Sequence, residues 1–191
     1  MKMNIPFLRE VFVKRYLCII LLIISSYLRA QVVTVSGNWN PSLPVITEAG
    51  NNYTGTYDNT TTTITPITLS ATLPGNFLNL LSGTGAKMTM HYTTNAWHSS
   101  LGLAARRTGG TGSVSGFCLI CSATINGGAA FVPIQQMSDS TLVTLTFGGL
   151  LGINNTANFS DINLIIQLSG VSVTIPATTY SARIVFTIVA N

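Results

Sequence analysis

Residues 180–189 alternate in character one by one. Tyr180, Ala182, Ile184, Phe186 and Ile188 share one parity, and Ser181, Arg183, Val185, Thr187 and Val189 share the other. Side chains on a strand point to opposite faces with a period of two, so this run pleats and cannot offer the single stripe a helix needs. It reads as a long, largely buried strand. The same period recurs in Val32–Ser36, Thr62–Leu73, Lys87–Thr93, Ser140–Phe147, Asn163–Leu168 and Val171–Ile175. Each run is rich in Val, Ile, Thr or aromatic residues and is bounded by turn formers such as Gly50-Asn51-Asn52, Pro74-Gly75-Asn76, Gly148-Gly149 or Asn154-Asn155. Helical periodicity is almost absent. Many short strands at this spacing predict an all-β, antiparallel sandwich or barrel.

The first thirty residues are different in kind. Lys2, Arg9, Lys14 and Arg15 form a positive region, Leu17 to Ile24 a short apolar core, and Leu28-Arg29-Ala30 a small-residue ending before Gln31. That layout predicts a helical secretory signal over 1–30, cleaved after Ala30. The apolar run is less than half of the roughly 18 residues a membrane span requires. Cys18 is too early, and in the wrong context, to accept a lipid. What remains, 191 less 30, is 161 residues, enough for one domain over 31–191 with a sizeable core.

Removing the leader changes the electrostatics. Five of the nine Lys and Arg residues lie within it; Lys87, Arg106, Arg107 and Arg183 remain, against Glu48, Asp58, Asp139 and Asp161. The domain is neutral, so the pI of 9.2 belongs to the precursor. Affinity for nucleic acid or an anionic membrane comes mainly from clustered cations, and Arg106-Arg107 is the only such pair. No nucleic-acid partner is expected, and the membrane enters only through export.

Between Asn95 and Gly128 the alternation falters. The stretch holds both arginines, a Gly/Ser/Thr tract from Thr108 to Gly116, Cys118 and Cys121. It reads either as a long hairpin or edge strands joined by a flexible loop, or as an insertion that contacts a ligand. Cys118-Leu119-Ile120-Cys121 matches C-x-x-C but lacks the helix N-terminus that activates a redox thiol. An oxidising compartment favours a structural disulfide. Residues three apart on a strand lie about 10 Å apart, beyond the roughly 7 Å that a bridge tolerates. The four residues are therefore a bridged turn or a strand carrying thiols; the bridged turn is favoured.

No catalytic, cofactor-binding or metal-ligating residue is assigned. His91 and His98 could join the two cysteines around zinc, yet only C-x-x-C has the spacing such sites share. Gly112-Ser113-Val114-Ser115-Gly116 has Val where a nucleophile elbow needs Ser. The four acids fall in separate, turn-like segments, which disfavours the carboxylate pair of a glycosidase. Gly83-Thr84-Gly85-Ala86-Lys87 lacks the ending of a phosphate loop and reads as a hairpin turn. Among Trp39, Tyr53, Tyr57, Tyr92, Trp97 and Tyr180, Trp97 is the first candidate for a sugar-stacking contact, because its surroundings from Asn95 to Ser100 are polar. Trp97, Arg106 and Arg107 are thus the candidate ligand contacts. Sequons stand at Asn52, Asn59, Asn154 and Asn158, and Asp139-Ser140-Thr141 has the form of a short O-glycosylation acceptor.

Two stretches carry a resemblance. The signal ending in Ala before Gln31, then Trp39 and Ile46-Thr47-Glu48-Ala49-Gly50-Asn51-Asn52-Tyr53, resembles small exported β-sandwich surface proteins of Bacteroidota. Gly170-Val171-Ser172-Val173-Thr174-Ile175-Pro176-Ala177-Thr178-Thr179-Tyr180, running into an alternating strand, is similar to the last strands of pilin-like proteins, including the spore-coat-U-like subunits. The resemblance implies an immunoglobulin-like or pilin-like sandwich, incomplete and open to a neighbour's strand. Gln31–Ser36 is an extended segment of the kind such proteins donate; the other reading is that it pairs within its own domain. The terminal strand lacks the aromatic residue near its end that chaperone-guided pilins show. The expectation is a non-enzymatic surface or fimbria-like structural protein, secreted, periplasmic or at the cell surface, that associates with itself or with another surface protein. The alternative is a secreted carbohydrate-binding module, with a glycan as partner.

Overall fold

The computed structural model describes residues 31–41, 43, 55–60, 66–74, 85–116, 121–148 and 155–190, all within the compact unit Gln31–Asn191. The proposed leader over 1–30 lies outside the described residues. What is described is all-β and contains no helix. Ten strands follow in chain order: β1 Val32–Ser36, β2 Gly55–Asp58, β3 Ile67–Pro74, β4 Gly85–Ala96, β5 Gly102–Ser115, β6 Ser122–Asn126, β7 Val132–Ile134, β8 Ser140–Gly148, β9 Thr156–Val171 and β10 Ser181–Ala190.

They form two antiparallel sheets, consistent with a β-sandwich. The larger has the order β1-β3-β9-β5-β7, with β2 beside β3 on the same flank of β9; the smaller has the order β10-β4-β8-β6. Apolar side chains of one parity meet between them: Leu69 and Leu73 from β3, Met88 and Met90 from β4, Leu145 from β8, and Phe159, Ile162 and Leu164 from β9 are buried. Bulges keep that parity in phase. On β8, Leu142 and Val143 are consecutive and both buried, where the register against β4 shifts between Met88 and Thr89. On β9, Ser160 and Asp161 together oppose Ser70, with Asp161 at φ 56°, so Phe159 and Ile162 both return to the core.

Several strand runs expected from the alternation coincide with observed strands, among them Val32–Ser36 and Ser140–Phe147. Three readings are corrected. Within Asn95–Gly128, the Gly/Ser/Thr tract is not the flexible loop between edge strands: Thr108–Ser115 lies in β5, an inner strand that pairs with β9 along nearly its whole length. Its glycines serve close approach, since a Cβ on Gly112 would sit 2.3 Å from the Ala123 carbonyl oxygen of β6. Val171–Ile175 is not a strand, because β9 ends at Val171. The Ser172 hydroxyl accepts the Thr174 N–H at 3.2 Å and the Ile175 N–H reaches the Ser172 carbonyl at 3.1 Å, a local turn that outcompetes a ladder. Finally, among the described residues β10 is an edge strand. Ile188 is buried, but Ile184 and Phe186 are only partly covered and Ser181–Arg183 are exposed.

One asparagine completes the larger sheet. Asn59 lies between β2 and β3, donates Nδ2 to the Leu164 carbonyl at 3.0 Å and accepts the Ile166 N–H at 3.0 Å. With its own N–H on the Ile166 carbonyl at 3.3 Å, the side chain and main chain of Asn59 together extend the pairing with β9 beyond Asp58. An Asn59→Leu variant is expected to lose about 1–3 kcal/mol, read as a lower urea midpoint. An unchanged midpoint would show that water replaces both bonds.

Candidate functional site

The two sides of the sandwich differ. On one side β7 leaves the larger sheet at Ile134, and the next residues join the smaller one: the Tyr92 N–H donates to the Gln135 carbonyl at 3.0 Å and the Met137 N–H to the Tyr92 carbonyl at 3.1 Å. Arg107 reinforces this closure. Its Nε donates to the Gly127 carbonyl at 2.6 Å, one Nη to Gly109 at 2.6 Å and the other to Ile125 at 3.1 Å. Its N–H also reaches the Gly128 carbonyl at 2.7 Å.

The other side carries the outer edges of β1 and β10, and no ladder joins them among the described residues. On β1, Val33 packs against the core, while Val35, of the same parity, is 46% exposed and Val32 is 52% exposed. This strand has no charge, proline or bulge, the features with which sheet edges normally prevent pairing with other chains. It pairs within its own domain, Val32–Ser36 running antiparallel to Thr68–Thr72 of β3.

The three candidate ligand contacts do not converge. Trp97 lies in an aromatic group, 5.5 Å from Tyr92 and 6.5 Å from Tyr180 between ring centroids, and its Nε1 donates to the Leu101 carbonyl at 2.9 Å. Arg107 takes the inward parity of Leu103 and Ala105 and becomes the clamp just described. Arg106 takes the opposite parity, on the outer face of the larger sheet. Its guanidinium lies over the Phe131 ring at 5.2 Å, and its Nε is buried without an acceptor. Adjacent residues of a strand face opposite ways, so a basic dipeptide splits when it becomes β.

Cys121 is disulfide-bonded, and both other cysteines, Cys18 and Cys118, lie outside the described residues. The sequons at Asn52 and Asn154 lie outside them too, whereas the amides of Asn59 and Asn158 are engaged in hydrogen bonds across the larger sheet.

Sequence reasoning missed the pairing of His91 with Asp139, whose Nδ1 and Oδ1 lie 2.7 Å apart. The bulge in register between β4 and β8 leaves Met90 opposite Ser140, placing Asp139 within reach of His91. An imidazole held by a carboxylate is two-thirds of a hydrolase triad, but among the described residues no hydroxyl bonds to its Nε2. Asp161, expected in a turn, lies within β9. No group of three or more metal-ligating side chains occurs among the described residues. No family model, curated protein or solved structure matches the chain.

Proposed function

We propose that the protein is a non-enzymatic, exported surface component, fimbria-like in its use of β-strand addition, with β1 as the strand through which copies join. The observation that supports this most is the unguarded β1 edge, five residues of high β propensity with Val32 and Val35 open to solvent. A second extended chain laid along that edge gains main-chain hydrogen bonds and covers apolar surface in one step. The half-covered Ile184 and Phe186 of β10 leave further apolar area on the same side of the sandwich. The leader-like N-terminus, the neutral domain and the resemblance to small exported sandwiches support export, and an oxidising compartment fits a bridge between Cys118 and Cys121.

The test is the oligomeric state of the purified protein by sedimentation velocity across a wide concentration range. The native chain is expected to associate, and Val32→Lys/Val35→Lys to weaken association by about tenfold or more. A native protein monomeric throughout, or a double variant that assembles equally well, overturns the reading.

A further inference from the structure

We propose that Arg106, together with Phe131 and the amides of Asn163 and Gln167, forms a binding site for a saccharide carboxylate on the outer face of the larger sheet. The site stands apart from the β1 edge and does not depend on strand addition.

Arg106 is half-buried and lies opposite Ile165 of β9, which puts Asn163 and Gln167 on the same face as its two diagonal neighbours. Phe131, one residue before β7, occupies one face of the guanidinium. No carboxylate or carbonyl among the described residues accepts from Arg106, and its Nε is sealed from water with no acceptor. That nitrogen is beyond a ligand's reach, but neither Nη is buried and neither has an acceptor among the described residues, so the outer edge of the fork faces solvent unpaired. Arg107 next door, with all three donor nitrogens on carbonyls, shows what a purely structural arginine of this fold looks like. Asp58 shares the outer face, across β9 opposite Gln167, but its carboxylate accepts from Thr60.

The two Nη nitrogens at that outer edge suit an anion of particular shape. With one face of the guanidinium on a ring, a ligand meets its planar edge, and a carboxylate matches that fork with two parallel hydrogen bonds. The ground beside it is hydroxyl-rich, with Asp58 opposite Gln167 and the exposed Asp161, which accepts from Ser160 at 2.9 Å, at its borders. Thr108, opposite Asn163, continues into three ranks of Thr, Ser and Asn: Thr68 and Asn163 are bonded at 2.9 Å, Thr72 and Asn158 at 3.2 Å, and Thr111 and Ser160 at 3.1 Å. Such a surface complements sugar hydroxyls, and Phe131 supplies an apolar ring for a sugar face. A uronic acid residue in an oligosaccharide combines both requirements.

Titration calorimetry with oligogalacturonate, alginate and hyaluronate fragments, with fully methyl-esterified oligogalacturonate and with acetate, tests this. At least one acidic oligosaccharide should bind, the ester of oligogalacturonate about tenfold or more weaker than its acid wherever that acid binds, and acetate weakest of all. Arg106→Met and Arg106→Lys should each reduce acidic-oligosaccharide binding by a similar factor, since a lysine keeps the charge but loses the fork. Phe131→Leu should weaken binding without altering the preference for acid over ester. Melting curves identify any variant that has failed to fold, and the Lys variant retains the charge and length needed to fold. The proposal is overturned if no acidic oligosaccharide binds, if acid and ester bind alike, if acetate binds as well as the oligosaccharide, or if a folded Arg106→Lys binds like the native chain.

Discussion

A Phe159→Ala variant is expected to lose about 3–5 kcal/mol of stability, the usual cost of deleting a buried aromatic ring and leaving a cavity. For a domain of this size that corresponds to a fall in Tm on the order of 10 °C. The position explains the magnitude. Phe159 is 1% exposed on β9, the strand flanked on both sides, with Ala71 opposite it on β3 and Gly112 opposite it on β5. Its ring meets that of Phe147, from the other sheet, edge to face at 5.6 Å. Small residues on both neighbouring strands leave room for the one large ring. Urea unfolding followed by circular dichroism measures the loss, and an unchanged midpoint would remove Phe159 from the centre of the core.

Arg107→Met is expected to cost about 2–4 kcal/mol, because hydrogen bonds to a charged donor contribute about 1.5–3 kcal/mol each and this site is open enough for water to recover part of them. Arg107→Lys should lose nearly as much. One ammonium on a flexible stem cannot reach the carbonyls of Gly109, Ile125 and Gly127 together, whereas the planar fork does. Hydrogen exchange offers a local check: amides of β6 and of residues 127–128 should open first in the variant, since Arg107 ties them to β5. Uniform loss of protection across both sheets would instead mean that Arg107 acts on the whole core.

These two residues mark how far the sequence could be read. Phe159 belongs to an alternating stretch, but the expected strand began only at Asn163, because Ser160 and Asp161 shift the parity and a period-two reading stops there. The bulge that preserves burial in space destroys periodicity in the sequence. Val32–Ser36 and Ser140–Phe147 contain no such interruption, and their limits were legible to within a residue. The Gly/Ser/Thr tract misled for the opposite reason. Glycine is common in connectors, but here Gly112 is needed because the Ala123 carbonyl of the other sheet comes too close for a side chain.

The candidate site was legible as residues and not as an arrangement. Arg106-Arg107 stands out in a chain so poor in charge, yet no local signal says that one guanidinium closes the sandwich and the other lies over Phe131. His91 and Asp139 are 48 positions apart, and neither has a neighbour that announces the pairing.

By itself, then, the order of residues determined the class of structure: side chains alternating every second position can bury one face only as strands, and a domain with four cations and four acids must be held by apolar packing and main-chain hydrogen bonds. Tertiary structure alone decided which strands lie at the edges, which arginine faces in, and which acid meets His91. Those outcomes depend on sheet order and on register, and both are set by contacts between segments far apart in the chain, where local pattern carries no information.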